Sequence, residues 1–229
     1  MSAYLRPTAA IAAEALLPAD PGLAMRLAQE LTESPLMSNH HHGLWGYSGS
    51  TAAGRQLTIQ ATGIGGPSAA AVLAELAEHG VRRAIRIGVA TALAPAMVGE
   101  PVIVGGALCE DGTSRAHGAI GELATDGALT ARLSTEARRE PATIASTDVR
   151  VEPLSALAER LRDAGAVAAD LETAALIAVA EASGVEIAAC VLACSAVAPT
   201  GERRDNALLE LGRFCVGALS RAEALADLG

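Results

Sequence analysis

Short β-forming runs alternate along this chain with segments that carry apolar residues at helical spacing. The first clear unit is a strand predicted at 57–61, followed by a glycine-rich loop and a helix predicted at 69–79. Further strands are predicted at 84–89, 101–104, 144–147 and 185–197, and further helices at 127–139, 154–163, 171–182 and 203–228. Because helices between strands pack on the faces of a sheet, we predict an α/β fold. It is a single-domain, three-layer α/β/α architecture with a twisted mixed central sheet.

Composition narrows the class of protein further. Neither a linker nor a repeat interrupts the 229 residues, so one domain is predicted over residues 1–229. The chain is 51% hydrophobic and 19% charged, which excludes a disordered polyelectrolyte. A net charge of −9 without a basic tract argues against a nucleic-acid polymer as partner. No apolar stretch is long and unbroken enough for a membrane span and no signal-peptide pattern is present, so a cytoplasmic protein without a membrane partner is expected.

The cysteines and histidines give little support for a metal site. Cys109, Cys190, Cys194 and Cys215 lie in or near apolar runs, and Cys190 and Cys194 should face one side of a strand as small core residues. Three histidines, 40–42, are adjacent, but neighbours in an extended chain point to opposite sides, and no acid or cysteine lies close in sequence. We predict no metal and no cofactor. His42 then either contacts an anion or belongs to a solvated or interfacial polar loop.

The glycine-rich loop, Gly63-Ile64-Gly65-Gly66-Pro67, joins a predicted strand to a predicted helix. Its backbone amides could approach an anion at the helix N-terminus, although tight turns also need glycine for conformational reasons alone. As a dinucleotide fingerprint the loop is poor. Ser68 replaces the third glycine, and Arg86 stands where a ribose-binding acid is expected.

The segment from Ala61 to Leu76 resembles the signature of the purine and uridine nucleoside phosphorylase family. Collinear motifs resemble that family too: Leu17-Pro18-Ala19-Asp20-Pro21, the run 39–49, Arg86-Ile87-Gly88, and Asp170-Leu171-Glu172-Thr173-Ala174-Ala175. The resemblance covers nearly the whole chain and implies a phosphorylase/hydrolase-like fold. It also implies a pentosyltransferase that cleaves the N-glycosidic bond of a nucleoside or nucleoside-like compound, with phosphate as co-substrate.

The resemblance implies a phosphate site made by Arg86, Ala19, Asp20, Val89 and His42. Several positions of the family's phosphate site are substituted in this chain. Ala19 replaces a glycine, Val89 replaces a hydroxyl residue, and Leu23 replaces an arginine. Arg26, one helical turn after Leu23, could reach the same place. His42 stands where the family has an arginine that reaches the neighbouring subunit's site. For Arg86, the alternative is a structural salt bridge.

The resemblance assigns ribose to Glu172, Leu171, Asp170, Gly63 and Ile64, with Arg86 and Glu172 as catalytic residues. The residues alone permit another interpretation, in which Asp170 caps a helix and Glu172 supports its first turn.

On the base side the resemblance implies contacts from Arg150, Thr147, Ser195 and Ala196. Ala196 stands where purine-cleaving relatives carry an acid for the leaving base, and Arg150 where they carry a stacking phenylalanine. A loop arginine can equally be solvated. Two alternatives to the phosphorylase therefore remain, a catalytically impaired ligand-binding protein on the same fold and a nucleoside hydrolase.

Sites in this family borrow residues from a neighbouring subunit, so a homo-oligomer is implied, either a dimer or a trimer of dimers. The segment 38–49 would supply the contact, with Trp45 and Tyr47 suited to an interface.

Overall fold

The structure, a computed structural model, describes residues 3–195 and 201–220. Within them the helices are α1 (Pro21–Leu31), α2 (Gly66–Glu78), α3 (Gly112–Ala116), α4 (Gly127–Ala137), α5 (Ala156–Asp163), α6 (Thr173–Ser183) and α7 (Glu202–Ser220). The strands are β1 (Glu14–Leu17), β2 (Glu33–Asn39), β3 (Gly46–Ser50), β4 (Gln56–Gln60), β5 (Arg83–Ala92), β6 (Pro101–Glu110), β7 (Glu122–Ala124), β8 (Pro141–Thr147), β9 (Ala168–Asp170) and β10 (Glu186–Cys194).

These strands form one mixed sheet. β4, β1, β5 and β10 are neighbours in that order and run parallel, while β2, β3 and β4 are antiparallel. β10 also pairs with β6, β6 with β8, β8 with β9, and β9 with β5, so this part of the sheet closes into a ring. The predicted mixed α/β fold is confirmed. The closed ring is a feature that the sequence pattern did not indicate.

Helices cover both faces of the sheet, because side chains on each central strand alternate between two apolar clusters. On β10, Ile187 and Val191 pack with residues of α2 and α6. Cys190 and Cys194 pack on the opposite side with residues of α1, α4 and α7. The prediction that these two cysteines are core residues on one side of a strand is therefore confirmed.

The predicted elements are present, with ends shifted for local reasons. α5 begins at Ala156 rather than 154 because the Ser155 hydroxyl caps it and accepts the Ala158 N–H at 3.2 Å. α4 ends at Ala137 rather than 139 because Arg138 adopts a left-handed φ of 53°. α6 begins at Thr173 rather than 171, which leaves Glu172 outside the helix. Two predicted elements extend beyond the described residues: 196–197 of the strand at 185–197, and 221–228 of the helix at 203–228.

The amino-terminal elements were not predicted. β1 has four consecutive buried residues and so no alternation to detect, and β2 and β3 are rich in serine and glycine, which are weak strand formers. The structure also corrects the expectation that Tyr47, on β3, is suited to an interface. Its side chain is buried in the core of its own chain beside α1 and β4, whereas Trp45 is partly exposed.

Candidate active site

A cavity of about 830 Å³ opens at the edge of the sheet where the parallel strands end. The segments that follow β1, β4 and β10 line it at Ala19, Gly63 and Ser195, and β5 lines it from 88 to 91. The beginnings of α1 and α7 complete the wall. Because parallel strands bring their carboxyl ends together, this edge is where ligands bind in α/β proteins.

Arg86 and Glu172 form a buried ion pair in this cavity. The Arg86 Nη2 donates to Glu172 Oε2 at 2.9 Å, and Arg86 Nη1 donates to the Ile87 carbonyl at 2.6 Å. Arg86 is 1% exposed and Glu172 is 5% exposed. Gly88 makes room for the guanidinium, since a Cβ there would lie 2.3 Å from Arg86 Nη1. Arg86 thus faces the cavity and is also tied to an acid, so both interpretations of this residue apply.

The glycine loop supplies the second contact to Glu172. The Gly65 N–H donates to Glu172 Oε1 at 2.9 Å, so each carboxylate oxygen has one protein donor. Gly65 has a φ of 89° and Gly63 a φ of 74°, values that L side chains rarely adopt. The loop therefore binds an anion, as its geometry suggested, but that anion is the protein's own carboxylate.

Asp170 is held by other partners. Its carboxylate accepts the hydroxyls of Ser146 and Thr173 at 2.6 Å each, and the Thr173 N–H at 3.2 Å. It also lies 3.6 Å from Arg86 Nη2. Asp170 therefore caps the start of α6, as the alternative interpretation proposed, while lining the cavity. Ser146 was not predicted, and a single serine in a strand gives no signal for such a role.

A second group of charged residues lies where α1 and α7 meet at the cavity. Arg26 on α1 and Arg204 on α7 both donate to the carboxylate of Asp205. Burial would raise the pKa of Asp205, but the hydrogen bonds from the two arginines outweigh it and lower this pKa. Sequence reasoning missed Asp205 and Arg204. No local spacing indicates that Asp205 contacts Arg26, which lies 179 residues away along the chain.

The opening of α1 contains two of the residues predicted to bind phosphate. Ala19 lines the cavity, and the Asp20 carboxylate turns back to cap α1, accepting the Gly22 and Leu23 N–H groups at 3.0 and 3.1 Å. Val89, on β5, lines the cavity with its side chain partly exposed.

Residues predicted to contact the sugar and base lie along the same cavity. Ile64 and Leu171 line it beside Gly63 and Glu172. Thr147, Arg150 and Ser195 line it as well, with the Thr147 hydroxyl donating to the Val149 carbonyl at 2.6 Å. Arg150 is largely exposed, with its Nε 3.5 Å from Glu152.

Two predicted residues are not part of this arrangement. His42 lies in a separate pocket of about 300 Å³, where its ring is 5.9 Å from that of Tyr4. The structure therefore does not bring His42 to the phosphate position of its own chain, and a contact in a neighbouring subunit stays a prediction. Ala196 lies outside the described residues.

Neither a metal-binding cluster nor a membrane-crossing helix occurs among the described residues. No group of three histidine, cysteine or acidic side chains is arranged to hold a metal ion in residues 3–195 and 201–220. Over the same ranges, no helix has the length and the apolar character that crossing a membrane requires.

Fold and cavity together define an α/β protein with a preorganised carboxylate in a ligand cavity at the sheet edge. The sequence matches the family described as Phosphorylase superfamily over residues 15–227. The chain belongs to that superfamily, which confirms the resemblance seen in its motifs.

Relatives with assigned names agree with this membership. The guanosine phosphorylase of Halorubrum lacusprofundi is 30% identical over 200 residues, which cover 84% of this chain and 82% of that protein. A DeoD-type purine nucleoside phosphorylase of Bacillus cereus is 30% identical over 213 residues, covering 86% of each chain. A protein of the same name from Clostridium perfringens is 40% identical over 81 residues, or 35% of this chain and 34% of its own.

Proposed function

We propose that this protein is a nucleoside phosphorylase that acts on purine nucleosides. An oxygen of phosphate attacks the anomeric carbon of the sugar, and the carbon–nitrogen bond breaks with its electron pair leaving on the base. The products are a pentose 1-phosphate and the free base, and the proton that phosphate loses balances the one that the base gains. Family membership and the names of its relatives support this reaction and the purine class.

The observation that carries the proposal is the orientation of Glu172. Its two carboxylate oxygens are held by Arg86 and by the Gly65 N–H inside the cavity. Each oxygen keeps a further lone pair, so the carboxylate can accept two neighbouring sugar hydroxyls at once. Because the carboxylate is positioned before substrate arrives, binding need not spend energy in ordering it.

The rest of the cavity divides into a sugar wall and a base wall. Gly63, Ile64 and Leu171 lie beside Glu172 and would contact the pentose. Thr147, Arg150 and Ser195 would contact the base, with Ala196 following in sequence. In this proposal the site needs phosphate as co-substrate and no cofactor, with Arg86, Ala19, Asp20 and Val89 around the anion.

We also propose a cytoplasmic homo-oligomer. The four cysteines are unpaired and buried, which suits a reducing compartment. The separate pocket at His42 and Tyr4 is a surface through which a neighbouring subunit's site could be completed.

The decisive experiment incubates the protein with purine and pyrimidine nucleosides, with and without phosphate, and measures free base and pentose 1-phosphate. Phosphate-dependent release from purine nucleosides is the expected result. Release of base in water alone would identify a hydrolase, and tight binding without turnover would identify a ligand-binding protein.

Two glutamate variants make the test specific to the site. Glu172→Gln removes the charge that would hold the sugar, and we expect kcat/KM to fall about 100-fold. Glu181→Gln changes an exposed glutamate on the neighbouring helix α6 and should leave kcat/KM unchanged. Equal activity of the two variants would refute the role of Glu172.

A further inference from the structure

Thr91 lies where the sugar wall and the base wall of the cavity meet. It is on β5, and its backbone pairs with Cys194 of β10 and with Ala169 of β9. Ser195, on the base wall, follows Cys194 directly, and Asp170, beside the sugar wall, follows Ala169. In a nucleoside bound as proposed above, the bond between sugar and base would therefore lie near Thr91.

The side chain of Thr91 is open to the cavity. Side chains alternate along a strand, and Val89, two residues earlier on the same side of β5, also lines the cavity. Thr91 is partly buried and belongs to the same lining. Its hydroxyl has no hydrogen-bond partner within residues 3–195 and 201–220, so it is available to a ligand.

Two polar side chains assigned to the base wall are already engaged with the protein. The Thr147 hydroxyl donates to the Val149 carbonyl at 2.6 Å. Arg150 is largely exposed, and its Nε lies 3.5 Å from the Glu152 carboxylate. Thr91 thus adds a hydrogen-bond donor that neither of these two side chains supplies.

We propose that the Thr91 hydroxyl donates a hydrogen bond to N7 of the leaving purine and stabilises the charge that develops there. The inference rests on the proposed phosphorolysis and names a residue that acts on its leaving group. When the bond to N9 breaks, its electron pair moves into the five-membered ring, and N7 shares the negative charge. A donor placed where charge develops lowers the barrier. Thr91 keeps its own proton, so the balance of the reaction is unchanged.

The position of Thr91 selects the five-membered ring of the base. That ring carries the sugar, and N7 is its other nitrogen, whereas the group attached to C6 lies farther from the sugar. A side chain at the junction of the two walls therefore reaches N7 first. Because N7 is common to all natural purines, Thr91 should act equally on 6-oxo and 6-amino purine nucleosides.

The test measures kcat and KM for guanosine and for 7-methylguanosine at saturating phosphate. Thr91→Val keeps the branched shape and removes the hydroxyl, so kcat/KM for guanosine should fall about 30-fold, mostly in kcat. In 7-methylguanosine a methyl group occupies N7, so this nitrogen has no lone pair to accept the hydrogen bond. For this substrate the same variant should lose no more than about threefold.

Two further variants and a binding measurement serve as controls. Thr91→Ser keeps the hydroxyl and should retain kcat/KM for guanosine within about threefold. Thr143→Val removes the hydroxyl of another partly buried strand threonine, which donates to Glu122 outside the cavity lining, and should leave kcat/KM unchanged. Calorimetric titration of hypoxanthine should give a Kd about fivefold higher for Thr91→Val and unchanged for Thr143→Val.

The outcomes separate this inference from the proposed function. Wild-type kcat/KM for guanosine in Thr91→Val would overturn the inference while phosphorolysis stands. An equal loss with guanosine and 7-methylguanosine would overturn it too, because the substitution would then disturb the wall and not the leaving group. If the wild type shows no phosphorolysis but Thr91→Val binds hypoxanthine more weakly than Thr143→Val, the contact is supported and the reaction is refuted. Equal affinities in that case would overturn both.

Discussion

Replacing Gly88 with alanine would disturb the Arg86–Glu172 pair without removing either partner. A Cβ at position 88 would lie 2.3 Å from Arg86 Nη1 and 2.9 Å from both Cζ and Nη2. Ordinary contact needs roughly 3.5 Å, so the guanidinium has to move by about 1 Å. Arg86 is fully buried and hydrogen-bonded on both Nη atoms, so this movement breaks contacts that have no ready substitute.

The structure sets the size of the effect. A shift of about 1 Å lengthens the 2.9 Å contact between Arg86 and Glu172 beyond hydrogen-bonding distance. Breaking a buried ion pair costs about 3–5 kcal/mol, and partial relaxation of the arginine puts the expected loss near 3 kcal/mol. For a chain of this length that corresponds to a fall in Tm of about 6–12 °C. Misplacement of Glu172 should also lower kcat/KM about 100-fold.

Calorimetry and steady-state kinetics would be run on Gly88→Ala beside Gly127→Ala. Gly127 begins α4, has no atom within 4 Å of an added Cβ, and gains helix propensity as alanine, so its Tm should stay equal or rise slightly. A wild-type Tm and wild-type kcat/KM in Gly88→Ala would refute the reasoning. A lowered Tm with unchanged kcat/KM would show that the ion pair supports the fold but does not position Glu172 for catalysis.

Two further predictions concern polar side chains that anchor neighbouring segments. Glu75 on α2 accepts the N–H groups of residues 3–5. Burial would raise its pKa, but these bonds outweigh burial and lower the pKa from its ordinary value. Its stabilising effect is thus present above the unfolded pKa and lost as pH falls through the folded one. Glu75→Gln at pH 7, or acid in the wild type, should therefore lower the amide-exchange protection factors of residues 3–5, which are corrected for the intrinsic exchange rate at each pH. Equal protection factors in both proteins at pH 7 would contradict this. Ser146 donates to Asp170 and accepts the Ala174 N–H at 2.8 Å, so Ser146→Ala should cost about 2 kcal/mol. Unfolding in urea measures that loss, and an unchanged midpoint would exclude the anchoring role.

Much of the cavity could be predicted because its residues follow strands. Gly63 follows a predicted strand, Thr147 ends one and Ser195 falls within one, whereas Ala19 follows β1, which only the resemblance of its motif indicated. Where such strands run parallel, their ends meet at one edge, so residues far apart in sequence come together by topology alone. Collinear motifs then assigned phosphate, sugar and base contacts to segments that line one cavity. The exceptions are His42, which lies in another pocket, and Ala196, which lies outside the described residues.

Local pattern failed where a segment carries little alternation or where burial exceeds expectation. β1 is buried along its whole length, and the ring closed by β6, β8 and β9 depends on pairing between distant strands. Tyr47 was expected at an interface because aromatic residues are common there, yet it fills the core of its own chain. Exposure is a property of the packed fold and not of residue type alone.

The sequence by itself determined the α/β class, the family and the positions of Arg86, Glu172 and the glycine loop, because strand–loop–helix order and collinear motifs are local features. Only the tertiary structure decided what those groups contact. Glu172 is held by Arg86 and Gly65, and Asp205 meets Arg26 across 179 residues. Ion pairs between distant segments depend on strand order and on how helices dock, and no spacing along the chain encodes them.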